Sequence, residues 1–190
     1  VVFQEMFFSG DCLSVPPEVH PGFVCDGWSL SDPLVVQVVL GAGYQIACHR
    51  EKRDKCAAVK RSFGAFRDCP LDICVDGLDG TAVDGCGRGA RVAAGVIDLV
   101  DGGDLTLVSV HGSSGVRADD QACRVEQFEQ IFEDRGDGTP LANGARNLVM
   151  GDLNTDPGRL QGFDSSAAYF DEHVGPGTPF RFATEVGDGV

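Results

Sequence analysis

The chain predicts a layered α/β sandwich with mixed or antiparallel sheets, and three observations lead there. Short apolar runs recur between turn signals, as strands do. One stretch, Asp119 to Arg135, instead repeats apolar residues at three- and four-residue steps, the period of an amphipathic helix. The 26 glycines and 9 prolines suit many turns between short strands better than a helical bundle. At 190 residues the chain can bury a sizeable core, and residues 1–190 are read as one domain. No apolar run approaches a membrane span, so a soluble monomer is expected.

The elements follow in order. Val1–Phe3 is a short strand ending at Gln4-Glu5, and opening inside a strand predicts a chain lacking a leader and a preceding strand. Residues 9–31, rich in Gly, Pro, Ser and Asp, form a loop stapled by cysteines. Ser31-Asp32-Pro33 starts a helix over Leu34–Leu40, which Gly41 or Gly43 ends. Tyr44–Cys48 and Lys55–Lys60 are strands joined by a charged turn. Residues 64–87 form a cysteine- and glycine-rich excursion. Arg88–Val100 and Leu105–Val110 form a hairpin about Asp101-Gly102-Gly103-Asp104, and His111 follows the second strand. The Asp119–Arg135 helix turns Ala122, Val125, Phe128 and Phe132 inward, with Asp119 and Asp120 at its electropositive start. A buried strand beginning at Asn147 comes next, then a short helix over Asp164–His173 and an irregular tail from Gly175.

Eight cysteines, none in a CxxC pair, argue against structural zinc and for disulfides in a secreted protein. They allow 105 connectivities. Local pairing suggests Cys12 with Cys25 and Cys48 with Cys56. The formal net charge of −14 opposes nonspecific binding to a polyanion. Six of the fifteen Lys and Arg nevertheless fall between Arg50 and Arg61. This hairpin is either a solvated one or a phosphate-contacting loop, with Arg50 and Arg53 as its substrate-binding candidates. His20 and His49 are expected on the surface.

Chemistry concentrates where strands end. Asn147-Leu148-Val149-Met150-Gly151-Asp152-Leu153-Asn154 carries an acid and an amide two positions apart. In an extended chain both face one pocket, one as an anionic ligand and the other as a donor. Glu5 and His111 also follow apolar runs. Two carboxylates can hold a hard divalent cation, while the histidine and amide bind or protonate phosphate oxygens.

Phe3-Gln4-Glu5, Leu105-Thr106-Leu107-Val108-Ser109-Val110-His111 and Gly151-Asp152-Leu153-Asn154-Thr155-Asp156-Pro157, in this order with the helix between the last two, resemble the endonuclease/exonuclease/phosphatase superfamily, the deoxyribonuclease I-like fold. The resemblance covers Val1 to about Pro157. It implies a four-layer sandwich of two mixed β-sheets flanked by helices, and metal-dependent phosphoester hydrolysis. Glu5 and Asp152 would hold the metal, usually magnesium, with manganese or calcium as alternatives. Asp152 would also orient the attacking water, Asn154 would hold the scissile phosphate, and His111 would contact a phosphate oxygen. Asp54 would correspond to an acid that partners the histidine. The family's first strand, bearing an Asn, and its last, bearing an Asp-His pair, have no counterpart here. The domain is therefore expected to be incomplete at both ends, and inactivity of this chain alone is compatible with an active parent. His173, in a helical context, is a poor substitute for the last histidine. The function expected is a secreted, magnesium-dependent phosphodiesterase or nuclease acting on nucleic acid or a phospholipid headgroup. A sphingomyelinase- or phosphatase-type member and a catalytically silent binding module are the alternatives.

Overall fold

The computed structural model describes residues 1–183. Eight strands form two four-stranded mixed sheets. Across the first run β1 (Val2–Phe3), β3 (Lys52–Lys60), β2 (Tyr44–His49) and β5 (Ile73–Leu78). Across the second run β4 (Gly64–Phe66), β6 (Val92–Leu99), β7 (Asp104–His111) and β8 (Asn147–Asp152). Neighbours are antiparallel except β2 with β5 and β7 with β8. The helices are α1 (Val35–Leu40), α2 (Ala118–Phe132), α3 (Pro157–Leu160) and α4 (Ser165–His173).

Alternation along the strands builds the layers, because successive side chains leave opposite faces. Ala47 of β2, Ala57 and Val59 of β3, Ala93 and Ile97 of β6 and Leu107 of β7 meet in one core between the sheets. Their neighbours Ile46, Cys48, Cys56 and Ala58 face outward and are covered by Val36 of α1. On the far side Val92, Val108 and Val110 face Phe128 and Ile131 of α2 and Phe170 of α4. The result is helix, sheet, sheet, helices.

Four expectations change in detail. α1 spans Val35–Leu40, within one residue of the expected Leu34–Leu40, but Leu34 and not Ser31-Asp32-Pro33 stands at its start. Pro33 disfavours a helical Asp32, and the Asp32 carboxylate instead closes a turn on the Ser29 amide at 2.7 Å. Gln37 Oε1 takes the Leu34 N–H at 2.9 Å, and Gly41, at φ 76°, ends the helix. In α2 the buried positions are Arg124, Gln127, Phe128, Gln130 and Ile131, while Ala122 is exposed. The apolar period misplaced this face because two polar side chains in it have internal partners. β8 was expected to be buried, but it lies at the edge of its sheet, with Leu148 39% exposed. The 64–87 excursion holds β4 and β5, which are too short and glycine-rich to show a period.

Four disulfides form: Cys12–Cys25, Cys48–Cys56, Cys69–Cys74 and Cys86–Cys123. The first two are the local pairs expected. The last spans 37 residues and ties the glycine-rich loop before β6 to α2. A cross-link stabilises by restricting the unfolded chain, so long loops matter most. Replacing Cys86 and Cys123 by serine should cost about 4 kcal/mol, against about 2 kcal/mol for Cys69 and Cys74. Urea unfolding of the two double variants checks this order.

Candidate functional site

The inward faces change character at one end of the sandwich. Ala47 is followed on its face by His49. Lys55 precedes Ala57 and Val59, and Leu107 is followed by Ser109 and His111. His49 and Ser109 have no exposure, and Lys55 and His111 have 2% and 3%. Polar groups so buried require partners. Ala90 O accepts from His49 Nδ1 at 2.9 Å, so Nδ1 carries the proton and Nε2 accepts from the Ser109 hydroxyl at 2.8 Å. Gln4 Nε2 donates to Ser109 Oγ at 3.2 Å, completing a bridge between the sheets. Lys55 Nζ donates to Asp54 at 2.6 Å. The expectation of a surface His49 is therefore corrected. A charged neighbourhood in the sequence suggested solvent, but strand parity turns the imidazole inward.

Above this bridge the three strand ends meet. Asp152 is the register partner of His111 across the parallel β7–β8 pair. Gly151 makes that approach possible. It sits at φ 144°, and a side chain there would begin 1.9 Å from Val110 O. Glu5 follows β1, and its Oε1 lies 3.6 Å from His111 Nε2. Its φ of 56° is unusual for a non-glycine residue and costs about 1 kcal/mol. The Met6 N–H donates to Asp54 O at 2.9 Å, pinning this corner to β3. His111 Nδ1 is buried without a partner. Burial first, then the charges of Lys55 and Arg91, lowers the His111 pKa, against the opposing pull of Glu5 and Asp152.

Asn154 departs from expectation. The strand stops at Asp152, and Asn154 turns to φ 52°. Its N–H donates to Asp152 Oδ1 at 2.8 Å, an Asx turn, and its Nδ2 donates to Gly112 O at 2.9 Å. The two side chains are thus held by a turn, not by the same-side geometry of an extended strand. Asp54 gives its carboxylate to Lys55, whose hydrogen bond and charge outweigh burial and hold the Asp54 pKa below the usual value. Arg50 and Arg53 are neutralised by Asp79 at 3.0 Å and Asp76 at 3.1 Å, and Arg61 pairs with Asp72. His173 lies on the far helix layer, where Nε2 is 3.3 Å from Glu133.

Arg124, which the sequence reading missed, fixes the loops that carry these groups. It is fully buried on α2. Its N–H groups donate to Ser113 O at 2.7 Å and Gly115 O at 2.8 Å, in the loop after His111. They also reach Ser166 Oγ and Asp164 Oδ2, both at 2.8 Å. Thr155, just beyond Asn154, donates to the same Asp164 oxygen at 2.7 Å. Burial pushes the Asp164 pKa up, but hydrogen bonds from Ser166 and Thr155, with the Arg124 charge, hold it at about 2.

Among the described residues no group of three or more His, Cys, Asp and Glu side chains is placed to hold a metal ion. The corner offers two carboxylates, Glu5 and Asp152. That donor set fits magnesium, which is commonly held by one or two carboxylates, keeps several waters and takes further oxygens from a phosphate. Comparison with protein-family models, curated proteins and solved structures gives no match. The fold defines a two-sheet, four-layer α/β sandwich, and the family resemblance rests on the residues of this chain.

Two outcomes are expected. Arg124→Met leaves Asp164 buried without its cation and should cost about 3–5 kcal/mol in urea unfolding, whereas a pair worth no more than a surface contact would cost under about 1 kcal/mol. Burial lowers the His49 pKa to about 4 from 6.5, so folding favours the neutral ring. Its contribution is complete above pH 6.5 and is lost as the pH falls through 4, a decline of about 3 kcal/mol. Unfolding free energies from pH 7 to pH 4 should show this decline, and His49→Asn should remove most of it.

Proposed function

We propose that the protein is a divalent-metal-dependent phosphoester hydrolase of the phosphodiesterase or nuclease type. The observation that carries this reading is the convergence of Glu5, His111 and Asp152 from three strand ends and two sheets. Glu5 and Asp152 would hold magnesium, which when bound supplies Lewis acidity and a more acidic water. His111, kept neutral by its surroundings, presents Nε2 toward the carboxylate corner and would donate that proton in a hydrogen bond to a non-bridging phosphate oxygen. Asp152 has one oxygen committed to the Asn154 amide, which leaves the other to orient an attacking water. Asn154 Nδ2 has a second N–H beyond the one given to Gly112, available to the scissile phosphate. Lys55, buried beneath the corner and paired with Asp54, adds a positive charge that helps keep His111 neutral.

Four disulfides suit an oxidising, extracellular setting. Among the described residues no helix is long and apolar enough to cross a membrane. A second reading, a binding module without turnover, is favoured by the commitment of an Asn154 N–H to Gly112 and by the 75% exposure of Glu5.

Hydrolysis of bis(4-nitrophenyl) phosphate with magnesium, with excess EDTA, and by Asp152→Ala separates the two. Metal-dependent turnover falling by about 10²–10⁴-fold in the variant, with an unchanged melting temperature, is expected. No turnover with magnesium would favour the binding module, and turnover that survives both EDTA and the substitution would end the metal-dependent reading of this corner.

A further inference from the structure

A sheet edge is a row of unpaired N–H and C=O groups, and proteins usually blunt it by shortness, charge or irregularity. Three of the four edges here are blunted. β1 and β4 have two and three residues, and β5 carries Asp76 and breaks register against β2 between Ala47 and His49. β8 is not blunted. Its six residues keep continuous register with β7, and Leu148-Val149-Met150-Gly151 hold no charge. Alternate residues of a parallel strand bond to its neighbour. The Thr106 N–H to Arg146 O and Gly112 N–H to Asp152 O bonds, both at 2.9 Å, fix which residues of β8 do so. Arg146, Leu148, Met150 and Asp152 give their main-chain groups to β7. Asn147, Val149 and Gly151 turn theirs to the open edge, where they have no partner among the described residues. Apolar grooves flank this edge on both faces. Leu148 and Met150 border one of about 240 Å³, with Val59, Ile97 and Leu107. Val149 borders one of about 640 Å³ on the helix side, with Phe132, Phe170 and Phe180. Such an edge takes an extended strand that is apolar on both faces, and β8 is itself one.

We infer that two copies of the chain join through β8, antiparallel and centred on Val149, so that Arg146 of each stands beside Asp152 of the other. The edge is complementary to itself in this register. Val149 exchanges main-chain bonds with Val149 of the second copy, and Asn147 lies opposite Gly151. Leu148 meets Met150 over one groove, and the two valines meet over the other. Charge selects the register, since residues 146–152 carry one cation and one acid and pairing about Val149 unites them twice. A slip of two residues removes both contacts. Arg146 is exposed, has no carboxylate partner among the described residues, and rests its guanidinium over Gly103. Asp152 has one oxygen free of the Asn154 amide. The net charge of −14 disfavours contact between copies elsewhere, whereas this patch is neutral. The interface stands without the hydrolase reading, but the part played by Arg146 at the corner rests on it. A guanidinium from the second copy reaches the mouth of the Glu5–Asp152 corner, where it would bind a phosphate oxygen of the ester. The monomer expected from the sequence took no account of this edge.

Sedimentation equilibrium in EDTA tests the interface. One strand pair is a small interface, so the wild type should dimerise with a Kd on the order of 10 µM. Arg146→Glu and Asp152→Arg each set like charges together and should weaken association about 10-fold or more. An equimolar mixture of the two should dimerise as the wild type does, because both pairs then unite opposite charges. Leu148→Lys, at a site 39% exposed, should be monomeric with an unchanged melting temperature, and it carries the test if Asp152→Arg does not fold. A wild type that stays monomeric at about 100 µM overturns the inference. Dimers that survive Leu148→Lys, or a mixture that associates no better than its two components, overturn it as well. The second arm follows turnover of bis(4-nitrophenyl) phosphate with magnesium across the same concentrations. Turnover per chain that rises with the dimer fraction supports the arginine's part at the corner. Constant turnover per chain overturns that part and leaves the hydrolase reading intact. Dimers that depend on Leu148 and Arg146, with no turnover at any concentration, keep the interface and remove the hydrolase reading.

Discussion

A guanidinium shut away from water must have its N–H groups matched, and Arg124 finds partners in two parts of the chain. Two are carbonyls of the loop leaving β7, and the others are the Asp164 carboxylate and Ser166 hydroxyl that open α4. Asp164 in turn receives Thr155, from the turn that leaves β8. The two loops that follow His111 and Asp152 are therefore referred to one charge on α2. An apolar side chain could fill the volume, but it would give neither loop a direction.

The second constraint is the bridge between the sheets. Sheet-on-sheet packing ordinarily needs only apolar complementarity, and most of this interface has it. At one end Gln4, Ser109 and His49 replace that contact with a directed chain of donors and acceptors ending on Ala90 O. The end of the sandwich where the two sheets are held by polar bonds is also the end where Glu5, His111 and Asp152 emerge. Positioning of the acids follows from register more than from their own hydrogen bonds.

Much of this was legible in the sequence, for specific reasons. The hairpins, α4 and the long helix carry local signals: a turn, a cap, a period. The order of Glu5, His111 and Asp152 could be read because each ends an apolar run. His49, Lys55 and Ser109 could have been read from alternation, since each shares a face with alanine, valine or leucine two positions away, but charges adjacent to His49 and Lys55 concealed it there. Arg124 could not be read, because burial of an arginine depends on acceptors about 10 to 40 positions distant. Pairing of the hairpin arginines with Asp72, Asp76 and Asp79 is likewise a tertiary fact.

The bridge also bears on how the molecule is made. Gln4 and Ser109 stand 105 positions apart, and His49 and Ser109 stand 60 apart. Closing such distances is paid in chain entropy before any contact is gained, so these bonds belong to the late, slow part of folding. A nascent chain has no partner for His49 Nε2 until β7 is complete, and no Asp152 beside His111 until β8 has followed α2. The corner is therefore a product of the finished topology, and no contiguous peptide cut from this chain would carry it.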